Sequence, residues 1–139
     1  PDDQRLLPLR PGERRGHLPQ VLLKFFQTTE GETAAANYLI SKGYLIRSRN
    51  FTCRGGEIDI VAERGGCLVF VEVKTRKNDR YGAAAEYVDR TKAARVRRAA
   101  AAYPIYGGCD IRFDIIEVYY EDADGMFLVK EINHIEDAF

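Results

Sequence analysis

Two segments of alternating apolar residues, Glu57 to Glu63 and Cys67 to Thr75, are joined through Gly65-Gly66, and this feature constrains the chain most. A glycine pair takes up the positive φ values of a two-residue hairpin turn without steric penalty. The segments are therefore predicted to pair antiparallel, with Asp59 opposite Glu72 and Glu57 opposite Lys74. Side chains alternate across a strand, so Glu57, Asp59 and Val61 share one face, and so do Leu68, Phe70, Glu72 and Lys74. The other face, with Ile58, Ile60, Val69, Val71 and Val73, is apolar throughout and calls for burial. Opposed Cβ atoms stand about 4.5–5.5 Å apart. Two carboxylates that close repel each other unless a cation lies between them.

The flanking sequence completes a fold. Thr28 or Thr29 is placed to cap a helix running through Ala35, Leu39 and Ile40, which Gly43 ends. Tyr44 to Phe51 reads as a first strand, and Gly55-Gly56 turns it into the hairpin. A loop through Asn78 and Gly82 leads to an Ala- and Arg-rich helix, about Ala84 to Ala102, stopped at Tyr103-Pro104. Strands at Ile111 to Tyr120 and from Met126 to about Ile132 follow, joined by a turn at Asp124-Gly125. The order α-β-β-β-α-β-β predicts an α/β domain, one mixed sheet flanked by helices. Residues 1–24 mix proline, glycine and charge without periodicity and are expected to form a flexible arm, with residues 25–139 as the domain.

The 21 basic and 21 acidic residues balance overall but are unevenly placed. Lys74 to Arg98 holds nine Lys/Arg and three Asp/Glu, a net of +6, whereas Asp110 to Phe139 holds two and nine, a net of −7. A basic stretch with a separate acidic tail is compatible with a nucleic-acid partner; solvated faces of a helix and a hairpin are the plainer alternative. No apolar run approaches the ~20 residues of a membrane span. Pro1 to Arg15 lacks the apolar core and small-residue site of a signal peptide. Three cysteines without CxxC spacing argue against a disulfide framework or zinc site, and point to a reducing cytoplasm.

The candidate ligands are all oxygens, so the expected cation is hard: Mg²⁺ first, Mn²⁺ close behind. Lys74 leans toward the same place, where an ammonium could orient water and offset charge at a scissile phosphate. Read alone, Glu57 with Lys74 is equally a cross-strand ion pair worth about 0.2–1 kcal/mol. Glu32 lies on the inward stripe of the first helix with Ala35, Ala36 and Leu39. It either reaches a cation or favours the helix N-terminus. Lys92 follows Val88 and precedes Val96 on an apolar stripe, so it must snorkel outward or point at the carboxylates. Arg90, Arg95, Arg97 and Arg98 occupy the other faces and could hold phosphates. His17 and His134 have no ligand-like neighbours at strand or helix spacing, and Arg112 with Asp114 reads as a local ion pair.

These residues resemble a known family. Gly31-Glu32, Gly43-Tyr44, Asn50-Phe51, Gly56-Glu57-Ile58-Asp59, Phe70-Val71-Glu72-Val73-Lys74-Thr75-Arg76, Tyr81-Gly82, Lys92, Arg112-Phe113-Asp114 and Ala138-Phe139 occur in order, as in the YraN-like family of bacterial proteins. That family is similar to archaeal Holliday-junction resolvases and the PD-(D/E)XK restriction-endonuclease-like fold. The resemblance implies Asp59 and Glu72 as metal ligands, Lys74 as the catalytic lysine, and Glu32 as the acid that completes the site. Glu57 belongs to the same pattern and joins the candidate catalytic residues; Arg76, Lys92, Arg95 and Arg98 are the candidate nucleic-acid contacts. The implied activity is Mg²⁺- or Mn²⁺-dependent cleavage of DNA, branched or single-stranded, by a chain that could act as a homodimer. The alternatives are a nucleic-acid-binding module on the same fold with little catalysis, or a structural protein whose acids form only ion pairs.

Overall fold

The computed structural model describes residues 19–77, 90–105 and 107–139. The elements are α1 (Gln20–Ser41), β1 (Leu45–Cys53), β2 (Gly56–Arg64), β3 (Cys67–Lys77), α2 (Arg90–Ala102), β4 (Asp110–Ala123) and β5 (Met126–Ile135). They form an α/β fold with one five-stranded mixed sheet in the order β1-β2-β3-β4-β5. Neighbours pair antiparallel except β3 and β4, which run parallel over eleven residue pairs from Cys67↔Asp110 to Lys77↔Tyr120. Parallel neighbours need a long crossover, and α2 lies on that connection.

The helices cover opposite faces of the sheet. On one, Ala35, Ala36 and Leu39 of α1 pack on Ile60, Ala62, Val69, Val71, Ile116 and Val118. On the other, Val96, Ala99 and Ala100 of α2 pack on Ile58, Val61, Leu68 and Phe70. Period-two alternation in β3 puts Val69 and Val71 under α1 and Leu68 and Phe70 under α2.

α1 begins eight residues before Thr28. Pro19 stands at its N-terminal boundary and its carbonyl accepts the Leu23 amide at 2.9 Å. Thr28 and Thr29 do not cap the helix; inside it, their hydroxyls donate to the Lys24 and Phe25 carbonyls, each at 3.0 Å. Residues 20–24, expected in the arm, are thus helical, and residues 1–18 lie outside the described residues. So do Asn78 to Asp89, which include the expected loop, Tyr81-Gly82 and the first residues of the predicted second helix. His17 is likewise outside them.

Gly31 brings α1 down on the sheet. A Cβ added there would collide with the Thr75 side chain of β3, so only glycine lets the helix cross so closely. The next residue, Glu32, is carried onto the sheet with it.

Candidate functional site

The hairpin register is the expected one, from Arg64↔Cys67 through Ile60↔Val71. The described pairing stops there, and the next two residues, Asp59 and Glu72, are the expected acids. The Val73 amide donates to the Asp59 carboxylate at 2.8 Å, so a side chain takes the place of a strand carbonyl. Asp59 and Glu72 are close enough for one carboxyl to hydrogen-bond the other.

The face assignment of Ile58 is different from that expected. It packs with Val61 and Phe70 under α2, not with Ile60 under α1. Between the pairs Arg49↔Ile60 and Phe51↔Ile58 stands Asn50, in the left-handed region at φ 54°. The alternation of β2 slips by one face across Asp59, opposite this residue. The described β2–β3 pairs do not extend to Glu57 and Lys74. Glu57 binds α2, accepting Lys92 Nζ at 3.1 Å, with Arg95 Nη2 at 3.3 Å. Gly56 fixes this approach: a Cβ there would lie 2.7 Å from the Ala99 nitrogen and the Arg95 oxygen.

Lys92 points at the carboxylates. Its Nζ is 3.5 Å from Glu72 Oε2 as well as 3.1 Å from Glu57. Burial alone would depress its pKa, but the charge of Glu72, then Glu57 and Asp59, outweighs this and raises it. Glu57 sits below the usual carboxylate range because Lys92 hydrogen-bonds to it.

The inner acids shift the other way. Burial, and then the Asp59 charge, push Glu72 up to about 8. Burial also raises Asp59, against the pull of the Val73 amide. Glu32 reaches the cluster from α1: burial and the Asp59 charge push its carboxyl to about 7, against the lowering effects of Arg49 and of a hydrogen bond from Asn50. Glu72 is 6% exposed, and its Oε1 is buried without a hydrogen-bond partner. A buried acceptor left without a partner is costly, and an oxygen beside a second carboxylate suits a hard cation. Among the described residues no three Asp, Glu, His or Cys side chains stand together as a ready-made metal site. A Mg²⁺-type ion, which keeps most of its water, needs only one or two carboxylates, so Asp59 and Glu72 fit such an ion.

Lys74 is half-buried on β3, beside Glu117 in the parallel register, and its charge lowers Glu72. Arg76 is not a free surface cation: its Nε lies 3.2 Å from Glu117 Oε2. Glu117 is 1% exposed, and Asn133 donates to its other oxygen at 2.8 Å. Arg95 and Arg98 line, with Gly55, Arg90, Thr91 and Ala94, a concavity of ≈ 460 Å³. Arg97 instead covers the rings of Phe113 and Phe139 at 4.8 and 5.9 Å.

Sequence reasoning missed a second polar centre. Asp114, 0% exposed, accepts two bonds from Arg112 at 2.8 Å, as the expected ion pair, but also one from His134 Nε2 at 2.7 Å and the Asp137 amide at 3.0 Å. Burial raises its carboxyl, but the bonds from His134 and Arg112 more than offset this and leave it lowered. His134 Nδ1 meets the Tyr38 hydroxyl at 3.2 Å, which ties β5 to α1. Asn50 was also missed as part of the site; its left-handed φ, common for asparagine, was the available signal.

The model of an uncharacterised protein family, UPF0102, matches residues 31–118, which span Glu32, Glu57, Asp59, Glu72, Lys74 and Lys92. The chain belongs to the UPF0102 family. A UPF0102 protein of Trichlorobacter lovleyi is 42% identical over 113 residues, 78% of this chain and 86% of that protein. One of Symbiobacterium thermophilum is 48% identical over 91 residues, 63% and 77% of the two chains. One of Pelotomaculum thermopropionicum is 45% identical over 112 residues, 78% and 91%. The UPF0102 match thus covers all six of these acids and lysines, and no helix among the described residues is long and apolar enough to cross a membrane.

Proposed function

We propose that this UPF0102 protein is a divalent-metal-dependent endonuclease that hydrolyses phosphodiester bonds in DNA, on a restriction-endonuclease-like fold related to that of junction resolvases. The observation that carries the reading is the buried, unpartnered Glu72 Oε1 beside Asp59, with Lys74 two residues further along the same strand. Asp59 and Glu72 would hold Mg²⁺ or Mn²⁺, with Glu32 completing the shell through water. Such an ion supplies Lewis-acid activation of water and neutralises charge at the phosphate. Lys74 would face the phosphate and balance the negative charge that grows as the water oxygen bonds phosphorus and the P–O ester bond breaks. The attacking water would give up a proton to solvent, and the leaving oxygen would take one from it. Arg95 and Arg98, at the concavity beside Glu57, would hold neighbouring phosphates.

The test is cleavage of labelled branched, single-stranded and duplex DNA with Mg²⁺ or Mn²⁺, by wild type, Asp59→Asn and Lys74→Ala. Metal-dependent cutting that disappears in both variants is the expected result. The arginine-lined concavity also favours a second reading, a nucleic-acid-binding module with little catalysis. Tight DNA binding by a wild type that cuts none of the substrates would select it.

A further inference from the structure

Of the two directions open to Lys92, outward to nucleic acid or inward to the carboxylates, the structure shows the second. Its Nζ lies 3.5 Å from Glu72 Oε2 and 3.1 Å from Glu57 Oε1, and Arg95 Nη2 meets that same Glu57 oxygen at 3.3 Å. α2 sits on Gly56 with no room for a Cβ, and the lysine reaches the acids on its own flexible stem, the part that can adjust. We propose that Lys92 is a built-in counter-ion for the acid cluster, which competes with the divalent cation for Glu72 and is handed to Glu57 when that cation enters. This rests on the metal-site reading above.

The geometry gives the two contacts unequal roles. The Glu57 contact is the shorter and lies at the half-exposed rim; the Glu72 contact is the longer and lies inside. An ammonium near Glu72 offsets part of the repulsion between Glu72 and Asp59, which would otherwise oppose folding. A dication placed there repels the ammonium, and Glu57 offers it a partner without an excursion into solvent. Lys92 then acts through the cluster as a positioning residue, with Glu57 as its parking place. The arrangement lowers metal affinity but keeps the metal-free cluster folded.

The test is Mn²⁺ affinity, read as free ion by electron paramagnetic resonance at pH 8.5, where the acids compete less for protons. Lys92→Met is expected to bind Mn²⁺ at least about tenfold more tightly, because a competing charge is gone. Lys92→Arg keeps the charge and should stay within about threefold of wild type. Glu57→Gln should bind more weakly, since Lys92 then remains on Glu72, and this loss should vanish in Glu57→Gln/Lys92→Met. If Glu57 is merely another ligand, the loss persists in the double variant and the handover is overturned. Wild-type binding that Lys92→Met leaves equal or weaker also overturns it, with the metal site intact. No Mn²⁺ binding by either protein removes the metal site and the handover together. Should Lys92→Met fail to fold, the side-chain ammonium resonance of Lys92 in the unmutated protein decides. It must shift as Mg²⁺ saturates the site, and a stationary resonance refutes the handover.

Discussion

Glu72→Gln should stabilise the metal-free protein at alkaline pH while abolishing metal binding. The Glu72 carboxyl is raised from 4.5 to about 8 in the fold, so between those values the folded state holds a proton that the unfolded state has lost. Folding stability therefore falls as pH rises through this window; the penalty is absent below 4.5 and complete above about 8. Each pH unit is worth about 1.4 kcal/mol, which sets a ceiling of roughly 5 kcal/mol. Because Asp59 shares the proton, about half of that is expected, some 2–3 kcal/mol, or about 6–12 °C in Tm for a domain of this size. Glutamine carries no charge, and its amide can donate to Asp59. Thermal melts in chelator at pH 5.5 and 8.5 give the answer as a difference of differences: the variant should melt above wild type at pH 8.5 and near it at pH 5.5. Equal pH dependence in the two proteins would refute the argument, because the buried Oε1 would then carry no charge penalty. Mg²⁺ or Mn²⁺ at pH 8.5 should raise the wild-type Tm and leave the variant unmoved.

Asp114→Asn should cost about 3–5 kcal/mol in urea denaturation, since it strands Arg112 and His134 around a neutral amide. The lowered carboxyl of Asp114 means that wild type loses this stability as pH falls from the ordinary carboxylate value through the folded one, a loss absent from the variant's acid titration. Gly31→Ala should cost about 1–3 kcal/mol by forcing α1 off Thr75, and should weaken Mn²⁺ binding because Glu32 moves with the helix. Arg98→Ala should weaken DNA binding across all sequences and reduce the slope of log K against log salt by about 1, measured by fluorescence anisotropy with Asp59→Asn as the background.

Element order was legible because hydrophobic period and paired glycines agree along most of the chain. The acid pair was legible for the same reason: a two-residue turn fixes which residues oppose one another. The face of Ile58 was not, because the alternation changes at Asp59, opposite the left-handed Asn50 of the neighbouring strand, and nothing in the β2 sequence marks that change. Glu57 was expected opposite Lys74 and instead meets Lys92 and Arg95 of α2, a contact between distant segments that counting along the strands could not supply. The start of α1 was misread because Thr28 and Thr29 have the composition of caps, whereas Pro19 was the real boundary signal. Lys92 allowed two directions, and only the seating of α2 on Gly56 selects between them. The Asp114–His134 contact joins residues twenty apart through a hairpin whose register shifts at Tyr119/Tyr120, so counting along the strands could not find it.

Gly31 precedes Glu32, and Gly56 precedes Glu57; in both places the helix–sheet distance is set by a bare Cα. Each acid is thus one residue from a point where a glycine touches its neighbour directly, the Thr75 side chain at Gly31 and the α2 backbone at Gly56. The positions of these carboxylates are referenced to hard stops, not to the compressible filling of the two cores. Volume-conserving exchanges among the leucines, valines and isoleucines beneath either helix should therefore drift freely in related chains while the acids hold their spacing. The same logic makes the two glycines, which carry no chemistry, as intolerant of change as the residues that do.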